Sequence, residues 1–128
     1  MRRAALIAVA VVMCVALVPT VAVAKKYKTT VTVTNSGPGI YTGTVTSTKK
    51  SCGEDRDVEI WHDTNGNGVI DGEPTDFKIG TARTDANGAY SVVGNQAPSG
   101  DSVIARVDRK KLSQKKNCGS AEASVTVL

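Results

Sequence analysis

The sequence is poor in the side chains on which most enzyme active sites depend. Its 128 residues contain one histidine, three cysteines, one tryptophan, three tyrosines and one phenylalanine. Nucleophilic catalysis needs a base beside the nucleophile, and no Ser/His/Asp or metallopeptidase spacing surrounds the single His62. Zinc sites draw on several His or Cys ligands, which are also missing. We therefore expect no enzyme, and we interpret His62 as a solvent-exposed imidazole beside Asp63.

Helical periodicity is missing after residue 24. Seven short runs instead alternate apolar with polar residues or are rich in β-branched residues, and turn signals separate them. They cover residues 27–34, 40–48, 58–62, 77–83, 89–93, 102–108 and 121–128. This pattern predicts an all-β fold, a seven-stranded antiparallel β-sandwich of two sheets. The dipeptide Asn87-Gly88 predicts a hairpin between the fourth and fifth strands.

A long apolar run occurs only at the amino end. Two arginines precede the run at residues 4–18, and small residues follow at 22–24. This order is typical of a secretory signal peptide. A retained membrane anchor is the alternative, although the run is shorter than the roughly 20 residues that span a bilayer. We expect a signal peptide over residues 1–24, a single domain over residues 25–128, and a secreted or cell-surface protein without a membrane segment after cleavage.

Cleavage after residue 24 removes Cys14 and leaves Cys52 and Cys118 as the only thiols. Two cysteines in an exported chain indicate one disulfide. The bridge would close most of the domain into a loop, which in the chain-entropy account stabilises the fold by roughly 4 kcal/mol. Two separate thiols, or a bridge between two chains, are the alternatives.

The charges are unevenly distributed along the chain. The formal net charge of +4 falls by two when the signal peptide takes its two arginines away. Carboxylates crowd residues 54–76, whereas lysines occupy residues 25–28 and basic residues dominate 106–116. We interpret the segment 109–116 as a solvated loop, with an anionic wall polymer as the alternative partner. Nucleic acid is not expected, because no aromatic residues are interleaved to stack on bases.

Residues 63–74 are rich in side-chain oxygens and glycine. Oxygen ligands at positions 1, 3, 5 and 9, a main-chain carbonyl at position 7 and a glycine at position 6 are the pattern of a calcium loop. These positions are occupied by Asp63, Asn65, Asn67, Asp71, Val69 through its carbonyl, and Gly68. Pro74 stands where the pattern has a bidentate Glu, so the nearest closing carboxylates are Glu73 and Asp76. The sequence predicts a weak calcium site, with a Kd of about 10⁻⁴ M or above.

Two alternatives remain for this segment. Asn65-Gly66 and Asn67-Gly68 are also turn dipeptides, which would make the segment the tip of a hairpin. A helical calcium module, such as an EF-hand or a dockerin-like repeat, is the second alternative. Its flanks argue against it, because both are predicted strands and no paired second loop is present.

Several short motifs together resemble the carboxypeptidase regulatory-like family. They are Gly43-Thr44-Val45, the strands at 58–61 and 103–107, Pro98-Ser99-Gly100, and the Thr-Asp-x-x-Gly-x-Tyr element at 84–90. The resemblance implies a transthyretin-like or prealbumin-like β-sandwich of the broader immunoglobulin-like class, in which Asp85 caps a turn and Gly88 takes a positive φ. The segment 61–74 is similar to the calcium loop in the B-type repeats of Gram-positive surface adhesins. This similarity implies a module of the cell surface.

The expected function is a secreted, non-catalytic module that is monomeric and stabilised by calcium. Its partner would be an unidentified protein or a cell-wall polymer. The alternative is a carbohydrate-binding or anionic wall-polymer-binding module without a metal. A sugar site needs an exposed aromatic platform, for which Trp61 together with Tyr41 is the candidate pair.

Overall fold

The computed structural model describes residues 25–128, and the expected signal peptide at residues 1–24 lies outside them. The fold is all-β, as predicted, with eleven strands and one short 3₁₀ helix at Lys50–Cys52. The strands are β1 (Lys25–Tyr27), β2 (Thr29–Val31), β3 (Thr34–Gly37), β4 (Ile40–Ser47), β5 (Asp57–Asp63), β6 (Phe77–Arg83), β7 (Ala89–Val93), β8 (Ser102–Val107), β9 (Lys110–Ser113), β10 (Lys116–Cys118) and β11 (Ala121–Thr126). None of the helical structure in this range is long and apolar enough to cross a membrane.

Two groups of antiparallel strands enclose one hydrophobic core. The first is a sheet with the strand order β11-β8-β5-β6. The second is built on β4, which pairs with β2, β3 and β7. Both groups contribute to the core, including Val58, Ile60, Val103, Ala105 and Val107 from the first and Val31, Tyr41, Val45, Tyr90 and Val92 from the second. Because strand residues alternate in direction, each group turns one apolar face inward, an arrangement consistent with a β-sandwich.

The predicted number of seven strands is wrong, although every predicted run contains a strand. The run at 27–34 is interrupted, because the Thr44 N–H donates to the side-chain oxygen of Thr32 at 2.9 Å rather than to a main-chain carbonyl. The chain passes so close to β4 here that a Cβ on Gly43 would lie 2.0 Å from the Thr32 carbonyl oxygen. This interruption separates β2 from β3, whereas β1 is a separate element because it pairs with β10.

The interpretation of residues 109–116 as a loop is also wrong, although most of these residues are exposed to solvent as expected. They contribute to an antiparallel pair of strands, β9 and β10, and β10 pairs in parallel with β1 at the other end of the described chain. This small sheet depends on a long-range pairing. No local pattern reveals such a pairing.

The predicted hairpin at Asn87-Gly88 does not form. Strand β6 pairs with β5 and strand β7 pairs with β4, so the turn at 84–88 carries the chain from one group of strands to the other. The turn itself has the expected chemistry. The Asp85 Oδ1 accepts the N–H groups of Asn87 and Ala89 at 2.8 and 3.0 Å, and Gly88 has a φ of 78°.

A disulfide joins Cys52 to Cys118, as predicted for one intrachain bond, and both residues are fully buried. Beside it lies the buried guanidinium of Arg56, which donates to the carbonyl oxygens of Cys52 at 2.6 Å and Gly119 at 3.0 Å, and also to that of Asp108. Burial lowers the pKa of Arg56, and the Asp108 carboxylate opposes that effect. Covalent and polar contacts thus tie the 3₁₀ segment to β10 at one end of the sandwich.

Candidate metal centre

The candidate calcium loop connects β5 to β6. Asp63 is the last residue of β5 and pairs with Ser102, the first residue of β8. The loop folds back beside the sheet, where Gly68 lines a small cavity together with Ile104 and Ser124. The loop therefore lies at the end of the sheet where β5 ends and β8 begins.

Asp63 is almost completely buried, with 1% of its surface exposed. Its Oδ2 accepts the Gly68 N–H at 2.8 Å. Its Oδ1 is buried and has no hydrogen-bond partner among residues 25–128. A buried carboxylate oxygen without a donor or cation is costly, so a cation or a water bound at this atom would stabilise the fold.

Asp76 is fully buried and closes the loop. Its Oδ1 accepts the main-chain N–H of Thr64 at 3.1 Å and the Thr64 hydroxyl at 3.3 Å. Its Oδ2 accepts the N–H of Asp71 at 2.7 Å. The Asp76 carboxylate thus links Thr64, at the start of the loop, to Asp71, at its ninth position. Each carboxylate oxygen can accept two hydrogen bonds or a metal bond beside one, so Asp76 remains able to act as a ligand through Oδ2.

The amide side chains of the loop form consecutive Asx turns. The Asn65 Oδ1 accepts the Asn67 N–H at 3.3 Å, and the Asn67 Oδ1 accepts the Val69 N–H at 2.9 Å. Both amide nitrogens then donate to the Asp71 Oδ2, at 3.0 and 2.8 Å. The side chains of Asn65, Asn67 and Asp71, three of the predicted ligands, therefore meet at one oxygen of Asp71. A cation bound to Asp71 would replace the amide N–H groups as its partner.

Glu73 is exposed to solvent, whereas Asp76 is enclosed in the loop. Of the two candidate closing carboxylates, Asp76 is therefore the one that the fold brings to the loop. None of the ion pairs among residues 25–128 involves Asp63, Asp71 or Asp76, so no lysine or arginine neutralises these carboxylates. Over the same residues, no three His, Cys, Asp or Glu side chains are grouped closely enough to hold a metal ion by themselves. A calcium ion here would also need amide and main-chain oxygens.

His62 differs from its expected exposed state. Its side chain is 18% exposed, and its Nε2 lies 2.8 Å from the Asp101 Oδ2. Asp101 is distant in sequence and reaches His62 because the antiparallel pairing of β5 with β8 places their ends together. The adjacent Asp63 is not the partner of the imidazole, so local sequence reasoning missed this contact.

The proposed aromatic pair is not formed. Tyr41 is fully buried in the core, whereas Trp61 lies on the opposite face of β5 with 8% of its surface exposed. Lys78 Nζ and Arg106 Cζ lie 5.3 and 5.6 Å from the Trp61 ring centre, and the indole N–H donates to Glu59 at 3.1 Å. Burial alone would raise the pKa of Glu59, but hydrogen bonds from Trp61, Lys78 and Arg106 outweigh it and lower the pKa to about 2.

The loop thus combines three features that suit a hard cation. It has a buried carboxylate oxygen without a partner in the described part of the chain, carboxylates that no basic side chain of that part neutralises, and amide oxygens held by Asx turns. Its donors are oxygens, which is the ligand chemistry of calcium and magnesium. No family model matches the sequence, and neither a curated protein nor a solved structure matches the chain.

Proposed function

We propose that this chain is a secreted, non-catalytic β-sandwich module and that its loop at residues 63–76 binds one structural calcium ion. The observation that carries the proposal is the buried Oδ1 of Asp63, which no donor of the described chain reaches. The resemblance to carboxypeptidase regulatory-like domains and to adhesin repeats supports a transthyretin-like sandwich and a role at the cell surface. The proposal includes removal of residues 1–24 and a monomeric mature protein.

The unpaired Oδ1 of Asp63 destabilises the fold. Leaving a buried acceptor unpaired costs about 1–3 kcal/mol, and more when the group is charged. Within the loop, the Gly68 N–H donates to the other Asp63 oxygen and the Asp71 N–H donates to Asp76, so neither donates to the Asp63 Oδ1. A cation that binds the Asp63 Oδ1 removes this cost and also neutralises the carboxylate.

The donor set favours calcium over other metals. Carboxylate, amide and main-chain oxygens suit hard cations, whereas zinc prefers nitrogen and sulfur. Calcium accepts irregular arrangements of six to eight oxygens, but magnesium demands a near-ideal octahedron and releases its waters reluctantly. The loop contains glycines at positive φ, including Gly66 at 66° and Gly68 at 77°, and its backbone follows a tight irregular path. An irregular oxygen set of this kind fits calcium.

Calcium would act by holding the loop to the end of the sheet. It would connect Asp63 at the end of β5 with the segment that precedes β6, so both strands would be constrained at this end. Because the ion binds the folded form, it stabilises the fold by about 2.7 kcal/mol when free calcium is one hundred times the Kd. This role needs no catalytic group.

Thermal unfolding with and without calcium tests the metal proposal. With a Kd near 10⁻⁴ M, about 10 mM calcium should raise the Tm by roughly 10–20 °C relative to chelator. Magnesium at the same concentration should produce a much smaller rise. An equal response to both ions, or no response to either, would overturn the assignment of a calcium site.

Secretion is tested separately by expressing all 128 residues in an exporting host. We expect the protein in the medium or at the cell surface, with Lys25 as its first residue when the amino terminus is sequenced. Retention inside the cell with an intact amino terminus would contradict the proposed location without affecting the calcium result.

A further inference from the structure

A second charged surface lies away from the loop. Strands β1, β9 and β10 form a three-stranded sheet, which we name the basic sheet. These strands and the β9–β10 turn contain six lysines and no aspartate or glutamate. The lysines are Lys25, Lys26, Lys110, Lys111, Lys115 and Lys116. Two basic segments that are distant in sequence thus meet in one small sheet.

The strand register places the lysines in rows across the basic sheet. Lys25 is the direct partner of Lys116, and Lys26 lies in a row with Asn117 and Lys111. Neighbouring strands are about 4.8 Å apart, and like charges directly opposite each other destabilise a sheet. Successive residues of a strand point to opposite faces, so the Lys25–Lys116 pair and the row of Lys26 and Lys111 lie on different faces, and an anion beside either face would offset repulsion among the lysines.

Most of these ammonium groups have no partner among residues 25–128. Lys26, Lys111, Lys115 and Lys116 are exposed. None of the ion pairs among the described residues involves a lysine of the basic sheet. Lys110 differs from the others, because its Nζ lies 3.4–3.5 Å from three main-chain carbonyl oxygens of the segment 51–55. The outer charges are therefore available to an external ligand.

We propose that the basic sheet binds a linear polyanion, that is, an extended polymer recognised through its regularly repeated phosphate or carboxylate groups. The rows of lysines match such a ligand in charge. A ligand recognised by base stacking fits less well, because Tyr27, the single aromatic residue of these strands, is half-buried with Lys25 Nζ 5.1 Å from its ring centre. A membrane also fits less well, because the exposed large apolar residues of the described chain lie outside these strands; they are Ile40, Val69, Phe77, Val93 and Leu128.

The basic sheet is held rigidly and lies far from the calcium loop. Cys118 of β10 is bonded to Cys52, and the buried Arg56 donates to the Gly119 carbonyl directly after β10. The length of β5 separates the calcium loop from the basic sheet. The loop begins at Asp63, and Asp57, which follows Arg56, lies at the other end of the strand, about 20 Å away. Fixed cations lose little entropy when a ligand binds. Polyanion binding should therefore depend on the disulfide and not on calcium.

Binding to defined polymers tests the proposal. The protein, purified after expression of all 128 residues, is titrated with fluorescently labelled polyphosphate and polyglutamate in chelator. We expect binding at about 50 mM salt that weakens at least tenfold by about 200 mM salt. The double variant Lys26→Gln/Lys111→Gln should bind roughly thirtyfold more weakly. The two polymers distinguish a phosphate-bearing ligand from a carboxylate-bearing one.

The matched control removes the same charge from β6. Lys78 and Arg83 are ion-paired with Glu59 and Asp57, respectively, so Lys78→Gln/Arg83→Gln should weaken polymer binding less than threefold. Equal losses in the two double variants would overturn the assignment to the basic sheet.

Three further outcomes would overturn the polyanion itself. The first is no binding to either polymer at about 50 mM salt. The second is tighter binding to oligothymidylate or to anionic lipid vesicles than to either polymer. The third is salt-sensitive self-association without polymer binding, which would make a second copy of the chain the occupant. All these measurements are made without calcium, so they are independent of the proposed metal site.

Discussion

The substitution Asp63→Asn should have opposite effects on stability in the two conditions: it should be neutral or stabilising in chelator and destabilising in calcium. The substitution keeps an oxygen to accept the Gly68 N–H and removes the charge from the buried, unpaired Oδ1. An unpaired amide costs less than an unpaired carboxylate. In chelator we therefore expect Asp63→Asn to leave the free energy of unfolding unchanged within about 1 kcal/mol, or to raise it.

In calcium the wild-type protein should be more stable than the Asp63→Asn variant. The wild-type protein gains about 2.7 kcal/mol at one hundred times the Kd, and the variant loses most of this gain because a neutral amide is a weaker ligand. For a domain of about 100 residues this difference corresponds to a Tm roughly 10 °C or more below that of the wild type. Melting curves followed by circular dichroism, recorded in calcium and in chelator, measure both quantities.

Asp85→Asn is the matched control, because it makes the same chemical change at a carboxylate that accepts two main-chain N–H groups in a distant turn. It should lower the Tm equally in calcium and in chelator. If Asp63→Asn behaves in the same way, with equal losses under both conditions, the buried oxygen has a structural role and the calcium reasoning fails.

Three further predictions concern stability. Reduction of the disulfide, which spans 66 residues of sequence, should lower the free energy of unfolding by about 4 kcal/mol in urea titrations, and an unchanged midpoint would contradict this. Because its pKa is lowered to about 2, Glu59 should contribute stability that is complete above pH 4.5 and is lost as the pH falls towards 2. Glu59→Gln should flatten the plot of unfolding free energy against pH between these values. A variant profile identical to that of the wild type would refute this prediction. Gly88→Ala should destabilise the fold. A left-handed backbone costs a residue with a Cβ about 1–2 kcal/mol, and the loss should exceed this because the added Cβ would lie 2.2 Å from the Val45 carbonyl oxygen. Gly66→Ala is its control, since no atom lies within 4 Å of the added Cβ and only the backbone cost remains.

Local pattern predicted the strands well. The runs at 77–83 and 89–93 have the same bounds as β6 and β7, and the run at 40–48 ends one residue beyond β4. Alternation of side chains is a property of each strand by itself, so a short window of sequence reveals it. The capped turn at Asp85 is local in the same sense, because its acceptor and donors lie within five residues.

Pairing between strands was not predictable in this way. The Asn87-Gly88 turn has the chemistry of a hairpin, but β7 pairs with β4, the strand that also pairs with β2 and β3. The basic segment was expected to be a loop, yet β10 pairs with β1 and is bonded through Cys118. These choices depend on competition among strands for hydrogen bonds and burial across the whole domain.

The sequence by itself determined the all-β class through the local periodicity of its strands, the candidate disulfide pair through its few cysteines, and the spacing of side-chain oxygens after β5 through residue type. Only the tertiary structure decided that Asp76 is enclosed in the loop whereas Glu73 is exposed, that the Asp63 Oδ1 is buried without a partner among residues 25–128, and that Lys25 lies beside Lys116. Burial and long-range pairing are properties of the packed chain as a whole. Residues distant in sequence become neighbours only when the sheets assemble around their core.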